Sequence, residues 1–137
     1  MNRVLAIDYG LKRCGLAVTD PLRIIASPLA AVTTSELKDF LKRYITSENV
    51  RECVIGIPFT ANDNDTYLVL EIRSFVEWMR KEFPLLKISE FDEFGTSAEA
   101  SRALLSAGVP KKKRQQKSNI DVMSAVIILK KHLEEYI

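Results

Sequence analysis

The chain has 137 residues, 47% of them hydrophobic and 28% charged, with 20 Lys and Arg against 18 Asp and Glu and a formal net charge of +2. That length accommodates one domain with a proper core, and that balance excludes a disordered chain. No apolar run is long enough to cross a bilayer as a helix, and Met1-Asn2-Arg3 lacks the layout of a signal peptide, so the expectation is a cytoplasmic protein with no membrane partner.

Val4 to Ile7 is an apolar run that ends in a carboxylate, Asp8. Gly10 and Gly15 bracket a basic turn containing Lys12 and Arg13, and a second apolar run, Leu16 to Val18, follows. Two such runs around a short glycine-bearing turn predict a β-hairpin. A third strand is expected around Ile24-Ile25-Ala26, at the sheet margin because it carries Pro28. Thr33 and Glu36 have the spacing of a capping box, and Leu37, Phe40, Leu41, Tyr44 and Ile45 follow at helical spacing. Cys53 to Pro58 reads as a strand buried on both faces.

A polar loop, Phe59 to Asp65, leads into a longer helix with Leu68, Ile72, Phe75, Val76, Met79 and Phe83 inside, stopped by Pro84. Leu85 to Phe91 predicts a fifth strand that runs into Asp92 and Glu93. Thr96 and Glu99 form a second capping box for a helix ending at Gly108 and Pro110. A basic loop, Lys111-Lys112-Lys113-Arg114-Gln115-Gln116-Lys117, precedes a last helix capped by Ser118 or Asn119, with Asp121 in its first turn. The order β-β-β-α-β-α-β-α-α describes an α/β domain over residues 1–137, a mixed five-stranded sheet with helices on both faces. No repeat, linker or low-complexity tract points to a second domain.

In such a sheet, ligands gather outside the carboxyl ends of the parallel strands. The first strand delivers Asp8 there, the fifth delivers Asp92 and Glu93, and the last helix can bring Asp121 to the same edge. Carboxylates from distant places suit hard divalent cations such as Mg²⁺ or Mn²⁺. Two such ions, ~4 Å apart, can activate a water and stabilise the leaving oxygen in phosphodiester cleavage. Each residue alone has a plainer reading. Asp8 would cap a strand, Asp121 would meet a helix dipole, and Asp92-Glu93 and the basic run would be solvated turns. His132, among Lys130, Lys131 and Glu134, reads as a surface residue. Cys14 and Cys53 lack motif spacing and read as reduced core residues. No zinc cluster, P-loop or Ser-His-Asp pattern is present.

The stretch Ile7-Asp8-Tyr9-Gly10-Leu11-Lys12-Arg13-Cys14-Gly15-Leu16-Ala17-Val18-Thr19-Asp20 resembles the opening motif of the YqgF family, also called RuvX or Holliday-junction-resolvase-like. Its members have the RNase H fold and are named as pre-16S rRNA nucleases. The similarity continues through Val54 to Pro58, Asp92-Glu93 with Thr96 to Ala100, and Lys112 through Lys117 to Asp121, in the same order along nearly the whole chain. The resemblance implies metal carboxylates at Asp8, Glu93 and Asp121, with Asp92 beside them, and a two-metal Mg²⁺ or Mn²⁺ site. Two departures stand out: Phe94 where the family has an arginine, and no glycine in the loop from Phe59 to Asp65.

The expected function is thus a metal-dependent nuclease trimming the 5′ end of precursor 16S rRNA in ribosome biogenesis. Lys12, Arg13, Lys111, Lys112, Lys113, Arg114 and Lys117 would contact phosphates without reading sequence. The alternatives are a Holliday junction resolvase acting on branched DNA and a non-catalytic nucleic-acid-binding module, which Phe94 favours. An actin-like ATPase opens with a similar hairpin but needs two lobes. The expected state is a monomer or weak homodimer.

Overall fold

A computed structural model of the chain describes residues 2–58, 67–92 and 96–134. The apolar runs around Asp8 form the hairpin, with β1 (Arg3–Asp8) and β2 (Arg13–Thr19) antiparallel. Strand β3 (Ala26–Thr33) continues the meander, while β4 (Val50–Ile57) and β5 (Lys87–Asp92) run parallel in the order β3-β2-β1-β4-β5. Pro28 lies on the edge strand, opposite Ala17, where the register shifts. That is where a residue without an N–H does least harm. The helices are α1 (Thr34–Ser47), α2 (Tyr67–Glu82), α3 (Thr96–Ser106), α4 (Lys111–Arg114) and α5 (Lys117–Glu134).

Strand side chains alternate between two apolar layers. Leu5, Ile7, Leu16, Cys53 and Ile55 face Leu37, Leu41, Ile45, Ile72 and Met79 of α1 and α2. Val4, Ala6, Ala17 and Val54 face Ala125, Val126, Ile128 and Leu129 of α5. The α5 layer is built on small strand residues, so that helix lies close against the sheet. Each buried Leu or Ile is worth roughly 1.5–3 kcal/mol, against roughly 0–1 kcal/mol for an exposed ion pair. Apolar packing therefore fixes α5, and with it the position of Asp121.

Helix ends follow local chemistry. Asn49 takes a positive φ of 54° just past α1, and Gly108 takes 76° past α3. The N–H of Gly108 reaches Leu105 O at 3.0 Å and that of Val109 reaches Leu104 O at 3.1 Å, a paired bonding pattern that needs a left-handed residue.

Several expectations are corrected. The basic run is not a loop. Lys111–Arg114 form a short helix, and Asn119 Nδ2 donates to Lys113 O at 2.8 Å, stitching it to α5. Helix α5 begins at Lys117, so Asp121 is its fifth residue rather than a first-turn residue. The helix dipole, which fades beyond the first turn, does not account for Asp121. Leu85 lies outside β5 and is 85% exposed, because Leu86 N–H closes a turn onto Phe83 O at 3.0 Å. Thr33 precedes α1 but does not cap it, its hydroxyl lying 3.3 Å from Ser35 Oγ instead. Glu99 pairs with Lys131 at 2.7 Å instead of capping α3. His132 is buried, not superficial: its Nε2 lies 2.5 Å from Glu52 Oε2 on β4, while Arg23 Nη1 approaches Glu52 Oε1 at 3.3 Å.

Candidate active site

Asp8 ends β1, level with Gly15 on β2 and Gly56 on β4. Its neighbours on both flanking strands are therefore glycines, and its side chain lies on the face that packs against α5. Gly15 has a second consequence. A Cβ there would lie 2.1 Å from Asp121 O, 2.2 Å from Asp121 C and 2.6 Å from Val122 N. The main chain of α5 rests directly on β2, which only glycine permits. Gly15 is thus an interior residue of β2 rather than the end of the turn, and it seats Asp121 on the face that carries Asp8.

Asp8 and Asp121 line one cleft of about 700 Å³. The hairpin turn from Tyr9 to Arg13 forms one wall, Leu68 of α2 and Ser97, Ala98 and Ser101 of α3 form others, and Lys117 and Ile120 of α5 complete it. The turn is held rigidly. A Cβ on Gly10 would meet Arg13 O at 2.3 Å. Thr34, the first residue of α1, donates its hydroxyl to Gly10 O at 2.7 Å and its N–H to Lys12 O at 2.9 Å.

Arg13 Nε lies 3.7 Å from Asp121 Oδ2. Burial raises the Asp121 pKa above the usual carboxylate range, and the positive charges of Arg13 and Lys117 only partly offset it. Burial also pushes the Tyr9 phenol up to about 12, helped by Cys14, Glu71 and Tyr67 nearby. Tyr9 is therefore a neutral hydrogen-bonding group and not a base. The Cys14 thiol is raised by burial as well, and its bonds to Thr34 and Gly10 do not reverse the effect. A thiol so placed is inert.

Of the expected site residues, Asp8, Asp121, Lys12, Arg13 and Lys117 share this cleft. Lys111, Lys112 and Lys113 are exposed and Arg114 half-buried on α4, and none of these four lines it. Asp92 is level with Ile57, so strand alternation aims it at the α1 and α2 face, opposite to Asp8. Glu93 and Phe94 lie outside the described residues, as does the loop from Phe59 to Asp65. Among the described residues, no three His, Cys, Asp or Glu side chains gather closely enough to hold a metal ion. The roles of Gly15, Gly56, Thr34, Ser97 and Ser101 were not anticipated. A glycine inside a strand signals close approach, and that signal was present at Gly15 and Gly56.

Comparison with known proteins gives the family and the fold. Two relatives carry the name "Putative pre-16S rRNA nuclease". The one from Amoebophilus asiaticus is 45% identical over 136 residues, covering 99% of this chain and 96% of its own. The one from Porphyromonas gingivalis is 46% identical over 134 residues, covering 98% and 97%. Among solved structures, Thermus thermophilus RuvC in complex with a Holliday junction substrate superposes with a TM-score of 0.65 at 15% identity, covering 99% and 96% of the two chains. A second Thermus thermophilus RuvC structure gives 0.56 at 11% identity, covering 98% and 95%. At such identities the likeness is one of fold, and that fold is RNase H-like. A model of the RuvX family, described as Holliday junction resolvase, matches residues 2–135, and with the hairpin motif and the near-full-length relatives it establishes that the chain belongs to the RuvX family.

Proposed function

We propose that this chain is a divalent-metal-dependent nuclease that hydrolyses phosphodiester bonds at the 5′ end of precursor 16S rRNA. The observation that carries the reading is the meeting of Asp8 and Asp121, from opposite ends of the chain, in one cleft walled by Lys12, Arg13 and Lys117. The name shared by the near-full-length relatives supports the rRNA substrate.

The donor set fits a hard cation. Asp8 and Asp121 offer oxygen ligands to one cleft, and Gly15 lets α5 come close enough to β2 to bring Asp121 to the face that carries Asp8. Asp8, Asp121 and Glu93 would hold Mg²⁺ or Mn²⁺, with Asp92 excluded from the set by its face. When bound, such an ion supplies an activated water and stabilises the leaving oxygen.

The chain's own residues do the rest. Arg13 offers a planar fork to a phosphate and exchanges its hold on Asp121 for it. With Phe94 in the place of the family's arginine, this contact falls to Arg13. Lys12 and Lys117 neutralise neighbouring phosphates. Ser97 and Ser101 present hydroxyls from α3 to the strand lying in the cleft. Tyr9 stays protonated and donates a hydrogen bond.

The direct test is incubation of the purified protein with labelled precursor rRNA, other RNAs, duplex DNA and branched DNA, with Mg²⁺, Mn²⁺ or chelator. Metal-dependent trimming of the rRNA 5′ end is the expected result, and no cleavage of any substrate overturns the reading. Cleavage confined to branched DNA would favour the resolvase alternative, which the description of the family supports.

A further inference from the structure

Leu11 has no role in the chemistry above, yet it occupies the most constrained turn of the cleft. It is 51% exposed and lies between Gly10 and Lys12. Thr34 clamps the turn on both sides of it, through Gly10 O at 2.7 Å and Lys12 O at 2.9 Å. A single exposed leucine is ordinary on a protein surface, but this one lies in a cleft and is not the only apolar side chain there. Leu68 and Ile120 line the same cleft from α2 and α5. The cations beside Leu11, Lys12 and Arg13, are complementary to a polyanion.

An intact duplex offers that surface phosphates and sugars, with its base faces stacked away. An unpaired nucleotide offers both a phosphate and an exposed base face. We propose that Leu11, with Leu68 and Ile120, forms a subsite for one unpaired base next to the phosphate held by Lys12 and Arg13. The chain would then select single-stranded or splayed nucleic acid over continuous duplex. This inference rests on the nuclease reading and deepens it by naming the substrate form.

The test titrates the wild type and Leu11→Ala, in chelator so that nothing is cut, against fluorescent oligonucleotides. These are a single strand, the same strand with one abasic site moved along it, and a blunt duplex of equal length. Leu85→Ala, exposed at the far end of the sheet, is the control, and melting curves check the fold of each variant. The wild type is expected to prefer the single strand and to lose about fivefold in affinity at one abasic position, the low end of what an aromatic platform gives, since leucine and isoleucine have no ring to stack. Leu11→Ala should bind the intact strand about as weakly, ignore the abasic site and keep the same salt dependence, while Leu85→Ala behaves as wild type.

A Leu11→Ala protein that still senses the abasic site overturns the subsite, as does a wild type indifferent to every abasic position. If that wild type also cuts nucleic acid with Mg²⁺ or Mn²⁺, only the subsite falls, and Leu11 is left as a contact for another protein. A wild type that neither binds nor cuts any nucleic acid overturns the nuclease reading together with it.

Discussion

Arg13 Nε stands 3.7 Å from Asp121 Oδ2, so the group best suited to grip a phosphate rests on a carboxylate suited to a metal ion. Both side chains are partly exposed, which limits the attraction to about 1 kcal/mol. Arg13→Ala should therefore strengthen binding of Mg²⁺ or Mn²⁺ about fivefold in calorimetry, while nucleic-acid affinity and cleavage fall. Unchanged metal affinity with unchanged nucleic-acid binding would reduce the pair to an ordinary surface contact.

Gly15 is the seat of α5, and filling it should be costly. Its added Cβ would fall 2.1–2.6 Å from the main chain at Asp121 and Val122, where no flexible side chain can move aside. Gly15→Ala should lose about 3 kcal/mol or more in denaturant unfolding. Any folded fraction should also bind metal more weakly than the wild type, since α5 must lift away from Asp8. A variant with wild-type stability would mean that α5 does not pack on β2 in this way.

Glu52 and His132 make a pH-dependent clamp at the other end of the sheet. Burial alone would raise the Glu52 pKa, but the hydrogen bond and charge of His132, with Arg23 and Lys87, outweigh it and the net shift is downward. A carboxyl lowered in the folded state stabilises the protein above its ordinary range, and that stability is lost as pH falls through the folded value. Melting curves taken from neutral into acid pH should show a shallower decline for Glu52→Gln than for wild type. His132→Ala leaves the buried Glu52 with Arg23 and Lys87 but without its hydrogen-bonding partner and should cost about 3 kcal/mol, with cleavage per folded molecule unchanged. A loss of cleavage without a loss of stability would give His132 a catalytic role.

The parts legible in the sequence are those written in local periodicity. The hairpin, an edge strand with Pro28, the inner faces of α1 and α2 and the stop at Gly108 follow from alternation, helical spacing and turn chemistry, although that strand starts only at Ala26 and leaves the expected Ile24 and Ile25 exposed before it. His132 was misread because its neighbours Lys130, Lys131 and Glu134 are charged, although its spacing from Ile128 and Leu129 puts it on the buried face. Helix α4 was missed because Lys111 to Arg114 carry no apolar period. The separation of Asp92 from Asp8 follows from strand alternation once the register with β4 is known, and register is a tertiary property. The contact of Gly15 with Asp121 joins residues far apart in the chain, so only packing reveals it.

The lysines divide by position, which yields a differential prediction. Lys117 lines the cleft, whereas Lys111, Lys112 and Lys113 project from α4 outside it. Lys117→Ala should reduce cleavage several-fold more than the triple alanine variant of the α4 lysines. Each variant should flatten the salt dependence of affinity by roughly 0.7–0.9 per lost phosphate contact. An unchanged salt slope in the triple variant would make α4 a solvated surface with no share in binding.

The last prediction concerns Asp8, the residue whose surroundings are most specifically arranged. Its flanking positions are glycine on both neighbouring strands, so its side chain neither packs against nor supports a strand neighbour on that face. Asp8→Asn keeps the shape and removes the charge that would neutralise a bound cation. The variant should stay folded and still bind nucleic acid through Lys12, Arg13 and Lys117, which keep their charges. Cleavage should fall by about 100-fold or more, the scale on which a group that stabilises transition-state charge acts. In chelator, Asp8 and Asp121 are like charges lining one cleft, and repulsion between them destabilises the fold. Asp8→Asn should then melt at or above the wild-type temperature in chelator and lose the rise in melting temperature that Mg²⁺ gives the wild type. Melting and cleavage measured on the same samples separate catalysis from folding. A stable and fully active Asp8→Asn protein would refute the metal site, because no other carboxylate shown in the cleft could replace Asp8 beside Asp121.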